Sequence, residues 1–206
     1  MTGFFVVIDG PSGIGKTTIV QLLARRLADN GHRVVVTREP SSGPIGVLAR
    51  GGTQQFRGVA LACLVTADRY HHIETEIRPA LASGNIVICD RYLSSSLVLQ
   101  HLDGVPDELI WKLNAEIERP DLTILLDGDP SSSRARAAHR GNYSRFHGGL
   151  PGEAERYRDL VGILNAGNHP ARSYDIGDQG ADDVAEALHN IVNVWHSLNY
   201  ARTDAD

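Results

Sequence analysis

The sequence predicts an α/β fold, a three-layer sandwich built on a central five-stranded parallel sheet. Short apolar runs rich in β-branched residues alternate with stretches of helical period, the pattern of a parallel sheet covered on both faces. A glycine-rich loop joins the first apolar run directly to a helix. The length of 206 residues suits a single domain with an ordinary core, read here as residues 1–200 plus a flexible tail at 201–206.

The elements follow in order. Residues 4–8 form the first strand and run into the glycine loop. The next helix carries Ile19, Val20, Leu23 and Leu27 at helical spacing and ends near Asn30-Gly31. Residues 34–36 are the second strand, and 43–52 are loop or at most a short helix. A helical pattern then runs from 56 to 81, long enough to bend, and stops at Ser83-Gly84. Residues 86–89 are the third strand. Helices at 93–102 and 106–118 are separated by a Gly104/Pro106 break, and the fourth strand at 122–126 is entered from Pro120. Residues 131–139 read as helix and 140–151 as a mobile surface loop. A helix over 153–165 places Tyr157, Leu160, Val161 and Leu164 on one face, and a weak strand at 172–176 precedes the last helix.

Composition narrows the function. With 42% hydrophobic and 22% charged residues the chain is an ordinary soluble globular protein, which excludes a disordered tail, a collagen-like fibre and a disulfide miniprotein. No apolar run approaches the roughly 20 residues of a membrane span, and the first residues do not read as a signal peptide, so the expected location is the cytoplasm. A net charge of −5 disfavours a nucleic-acid polymer as partner. Of the 20 basic residues only Lys16 and Lys112 are lysine, so arginine is the chain's default cation. Cys63 and Cys89 form no CxxC pair and are expected as free, buried thiols.

Gly10-Pro11-Ser12-Gly13-Ile14-Gly15-Lys16-Thr17, followed by Thr18, fits the GxxxxGK[ST] phosphate loop between a strand and a helix. Its glycines let backbone N–H groups turn inward at phosphate oxygens, and the helix N-terminus adds its dipole. Lys16 is expected to reach the β- and γ-phosphates of a nucleoside triphosphate, and Thr17 to ligate Mg²⁺. No Asn-Lys-x-Asp element reads guanine, so a switch GTPase is disfavoured. Asp90 follows an apolar strand and should face the loop across the sheet edge, where it can hold Mg²⁺. Arg38 and Arg91 end strands at the same edge and suit a second phosphate, which a guanidinium meets bidentately.

Beyond the loop, Thr37-Arg38-Glu39-Pro40, Ala67-Asp68-Arg69, Asp90-Arg91-Tyr92 with Ser95-Ser96, and Pro120 to Asp127 followed by Arg136, Arg140 and Arg145-Phe146 resemble the thymidylate kinases, within the nucleoside monophosphate kinase group of P-loop kinases. The resemblance implies an ATP- and Mg²⁺-dependent transfer of phosphate to a pyrimidine deoxynucleoside monophosphate, most of all dTMP. It implies catalytic roles for Lys16, Asp90, Arg91, Arg140 and Arg145, with Arg136 on ATP and a lid over about 140–151. The acceptor would meet Asp9, Arg38 and Pro40 on one side and Arg91, Tyr92, Ser96 and Gln100 on the other. Arg69 would contact the base, and Val65 would cover it. A homodimer is a further implication.

Several positions depart from the family pattern: Val65 and Leu99 stand where aromatics cover the base and sugar, Ser12 where an acidic residue is common, and Ser144 and His147 beside Arg145-Phe146. Two alternatives follow, a kinase of the same fold acting on another nucleotide-like metabolite, and a non-catalytic nucleotide-binding protein.

Overall fold

The computed structural model describes residues 3–129, 145–146 and 149–203. Five strands form one sheet: β1 (Phe4–Asp9), β2 (Val34–Arg38), β3 (Ile86–Asp90), β4 (Leu122–Asp127) and β5 (Ala171–Asp175). All pairs are parallel and the spatial order is β2-β3-β1-β4-β5. Every residue of β1 and β3 is buried, which is why both read as continuous apolar runs, rather than as alternation, up to the aspartates that close them. The edge strand β5 is half-exposed with sequence ARSYD, and its hydrophobic signal is correspondingly weak.

Helices α1 (Lys16–Asp29) and α8 (Ala181–Thr203) cover one face. Phe4, Val6 and Ile8 of β1 pack there with Leu23 and Leu27 of α1 and Leu188 and Val192 of α8. Alternate residues Phe5 and Val7 point the other way, into a second core with Leu61, Leu97, Val98, Leu160 and Leu164. That layer comprises α3 (Gly58–His72), α5 (Leu93–Leu102), α6 (Asp107–Leu113) and α7 (Glu153–Ala166), with α2 (Pro44–Gly51) and α4 (Arg78–Ala82) beside it. The three-layer sandwich expected from the sequence is therefore present.

The differences have local causes. The long helical stretch is α3 and α4 joined by a π turn at Ile73–Ile77. Pro79 lacks the N–H that a continuous helix would donate to Thr75, and the chain widens in the turn before it. The helix expected over 106–118 stops at Leu113, because the Asn114 side chain turns back to the Ile110 carbonyl and to Arg69. Cys89 is buried, but Cys63 is exposed on the outer face of α3, against expectation. Helix α8 continues to Thr203, into the stretch read as a flexible tail. The helix expected at 131–139 and most of the loop at 140–151 lie outside the described residues. Among the described residues no helix is long and apolar enough to cross a membrane.

Register aligns the functional strand ends. Ile8 pairs with Asp90 and Arg38 pairs with Asp90, so Asp9, Arg38, Asp90 and Arg91 gather at the carboxyl edge. There β1 lies between β3 and β4, the position at which open parallel sheets bind ligands.

Two glycines should respond oppositely to alanine. At Gly46 a Cβ would lie 2.3 Å from the Ser41 carbonyl oxygen, so Gly46→Ala is expected to cost roughly 1–3 kcal/mol in urea denaturation. Gly162, in mid-α7, has nothing within 4 Å of that position, and Gly162→Ala should stabilise by about 0.5–1 kcal/mol.

Candidate active site

The phosphate loop leaves β1 at Asp9. Gly10 has φ +147°, and a Cβ there would meet the Leu126 carbonyl oxygen at 2.6 Å, so only glycine fits. Gly15 enters α1 with φ +103°. Pro11 and Ile14 are buried and help seat the loop, whereas Thr18 is exposed on α1. Lys16 is 6% exposed, and its ammonium donates to the carbonyls of Gly10 (2.7 Å) and Pro11 (2.8 Å). Burial, and secondarily the Arg91 charge, lowers its pKa to about 8.

Thr17 Oγ1 donates to Asp90 Oδ2 at 2.7 Å. The other oxygen, Asp90 Oδ1, is buried with no hydrogen-bond partner among the described residues. An orphaned carboxylate oxygen beside a hydroxyl is a hard-oxygen donor set that fits Mg²⁺.

Across the edge, Arg91 adopts φ +75°, a conformation uncommon for a residue with a side chain. Its Nη1 donates to Ser95 Oγ (3.0 Å), Tyr157 Oη (3.3 Å) and Asp9 Oδ1 (3.4 Å). Burial works against its charge, but Tyr157, Asp9 and Asp90 outweigh burial and raise its pKa. Asp9 itself is fully buried and does not line the cleft. It accepts from the Gly10 N–H (2.8 Å), Ser94 Oγ (2.7 Å), Ser95 Oγ (2.8 Å) and Tyr157 Oη (2.9 Å), so it holds Arg91 from behind.

One cleft of about 300 Å³ joins these parts. Its lining includes Ser12, Gly13, Gly15, Lys16 and Thr17 of the phosphate loop, Arg38, Asp90 and Arg91 at the strand ends, and Leu61, Val65, Leu99 and Gln100 of α3 and α5. Pro40, Arg69, Tyr92 and Ser96 also face it. Arg69 is 1% exposed and commits four of its five N–H donors, to Glu39 (2.7 Å), Asn114, the Tyr92 carbonyl (3.1 Å) and Ser96 Oγ (3.0 Å). Little of Arg69 is left to read a ligand directly. The Gln100 side chain, by contrast, makes no hydrogen bond among the described residues.

Arg145, expected to be catalytic, is held by an ion pair and a ring contact. Its guanidinium pairs with Asp103, donates to the Thr53 carbonyl at 2.6 Å and lies 4.3 Å from the Phe146 ring centroid, and it does not line the cleft. Arg136 and Arg140 lie outside the described residues. Four cleft residues, Ala49, Arg50, Thr53 and Leu61, have no signal in the sequence reading; Arg50, near Arg38, had no motif to mark it in an arginine-rich chain. Behind the cleft wall, Glu153 and Tyr157 had no motif either, although both touch the site.

Comparison with known proteins agrees with this geometry. The sequence model of the family described as thymidylate kinase matches residues 8–148. The chain is 41% identical over 184 residues to the thymidylate kinase of Clavibacter michiganensis subsp. michiganensis, covering 84% of this chain and 85% of the relative. It is 35% identical over 192 residues to the thymidylate kinase of Xanthomonas euvesicatoria pv. vesicatoria, covering 92% and 83%. A probable thymidylate kinase of Pyrobaculum aerophilum is 43% identical over 147 residues, covering 69% and 73%.

The lowered Lys16 pKa has a measurable sign. Above about 8 the ammonium of the free protein is losing its proton, whereas a bound polyphosphate favours the charged form. Binding of a nucleoside triphosphate should therefore take up a proton, and affinity should fall as pH rises past 8, by at most about tenfold per unit. Calorimetry at pH 8 in buffers of different ionisation enthalpy measures the uptake. An uptake of zero there would contradict the assignment.

Proposed function

The chain belongs to the thymidylate kinase family, and from that premise we propose that it transfers the γ-phosphoryl group of ATP to dTMP, giving ADP and dTDP. The observation that carries the reading is that one cleft is lined by the phosphate loop, by Arg38 and Arg91, and by the aliphatic side chains Leu61, Val65 and Leu99. Gly10 to Thr17 cradle the ATP phosphates through backbone N–H groups, with Lys16 on the β- and γ-oxygens. Arg91 and Arg38 grip the dTMP phosphate bidentately. Asp90 and the Thr17 hydroxyl would hold Mg²⁺, which supplies countercharge to the polyphosphate.

No general base is required. The second pKa of a phosphate monoester is about 6, so the attacking oxygen is already ionised near neutral pH. The work left to the protein is to hold two anions in line and to stabilise the charge that spreads over the transferred group. Arg136 and Arg140 belong to this reading as cations over ATP, while Arg145 pairs with Asp103. Leu61, Val65 and Leu99 cover the base, and Gln100 and Ser96 meet its polar edge. The reading includes a single cytoplasmic domain that works as a homodimer.

A coupled assay of ADP release across natural nucleoside monophosphates tests this. The highest kcat/KM is expected for dTMP, and Lys16→Ala should lower it by about 10²–10³. Better turnover of another monophosphate would overturn the choice of acceptor. Val65→Phe should add ring stacking worth about 0.5–1.5 kcal/mol and lower the KM for dTMP roughly 2- to 10-fold.

A further inference from the structure

Helix α7 begins at Glu153, and one turn later the same face carries Tyr157. Glu153 is 3% exposed. Its Oε1 accepts from the Ser12 backbone N–H and from Ser12 Oγ, both at 3.0 Å, and its Oε2 accepts from the Leu150 N–H at 3.0 Å. Ser12 sits inside the phosphate loop and lines the cleft, and its hydroxyl also lies 3.1 Å from the Phe146 carbonyl oxygen. A carboxylate this deeply buried persists only because its lone pairs are satisfied, and here the satisfying groups are the loop and the start of its own helix. Tyr157, 2% exposed, places its hydroxyl 2.9 Å from Asp9 Oδ1, 3.2 Å from Ser95 Oγ and 3.3 Å from Arg91 Nη1. A single helical turn therefore touches the ATP-binding loop with one residue and the acceptor-binding arginine with the other.

We infer that Glu153 and Tyr157 are a pair of positioning residues that set the spacing between the donor and acceptor ends of the cleft, an inference that rests on the kinase reading above. One turn of helix is a rigid spacer of roughly 6 Å. In-line transfer tolerates little error, since the reacting atoms must come within about 3–3.5 Å. Glu153 controls the donor side through Ser12, and Tyr157 the acceptor side through Arg91 and Asp9.

The sign of one effect separates positioning from plain charge. A carboxylate beside a polyphosphate repels it, so if Glu153 acted only by its charge, Glu153→Gln would tighten nucleotide binding. If it positions the loop, the same change weakens binding, because an amide cannot accept from both Ser12 and Leu150.

The test is calorimetric binding of a non-hydrolysable ATP analogue and, separately, of dTMP to the full chain, with thermal melts of each variant. Glu153→Gln should weaken the analogue about tenfold or more and leave dTMP within about twofold. Tyr157→Phe, which removes one oxygen atom, should weaken dTMP by a similar factor and leave the analogue within about twofold. Steady-state kinetics should show the same split between the two KM values. Tighter or unchanged analogue binding by Glu153→Gln overturns the inference, as does equal weakening of both ligands in either variant. Should Glu153→Gln lose its cooperative melt, Tyr157→Phe decides alone, and unchanged dTMP binding overturns the pairing. Failure of the unaltered protein to bind or phosphorylate dTMP sinks the kinase reading instead, and the analogue arm still reports on Glu153.

Discussion

Asp9 ends the central strand with its carboxylate wholly cut off from solvent, and the site is arranged around keeping that charge satisfied. An ion so placed is tolerated only with close partners of opposite charge and a full set of hydrogen bonds. The Gly10 N–H, two serine hydroxyls, the Tyr157 phenol and the Arg91 guanidinium supply them. Each of these partners also belongs to a working element. Gly10 opens the phosphate loop, Ser94 and Ser95 begin α5, Tyr157 belongs to α7, and Arg91 lines the cleft. The positive φ of Arg91 is held by this network, so its unusual backbone and the buried carboxylate depend on each other.

The framework was legible because its physics is local. Strands buried on both faces are apolar up to their closing aspartates, and a loop whose backbone packs against the Leu126 carbonyl must place glycine at position 10. Arg38, Asp90 and Arg91 were readable from their places at strand ends, which register then brought to one edge. Contacts between distant segments were not readable. Glu153 looks like any acid in the first turn of a helix, where the dipole favours one, and its bond to Ser12 spans 141 residues. Arg145 could be picked out as a cation but not paired with Asp103. Arg69 was found by motif, yet the number of its donors already committed is a property of packing. Cys63 shows the same limit, since apolar neighbours along the chain do not decide which face of α3 turns outward.

The cleft combines aliphatic side chains with polar ones. Leu61, Val65 and Leu99 offer contact without the geometric preference of stacked rings, so they orient a flat base less strictly than aromatic walls do. Orientation then falls to hydrogen bonds, and Arg69 contributes by holding Ser96 and the Tyr92 carbonyl in place. Glu39 ties that guanidinium to the segment carrying Arg38, so Ser96 and the Tyr92 carbonyl are connected to the strand end at Arg38 through one ion pair.

The Lys16 ammonium, folded back onto the Gly10 and Pro11 carbonyls, has a thermodynamic corollary. A loop already curled around its own cation loses little chain entropy when a ligand arrives. What the incoming polyanion must do is outcompete two peptide oxygens for the same three protons. Discrimination between long and short phosphate chains can then arise from that exchange, because only a chain reaching Lys16 gains by it.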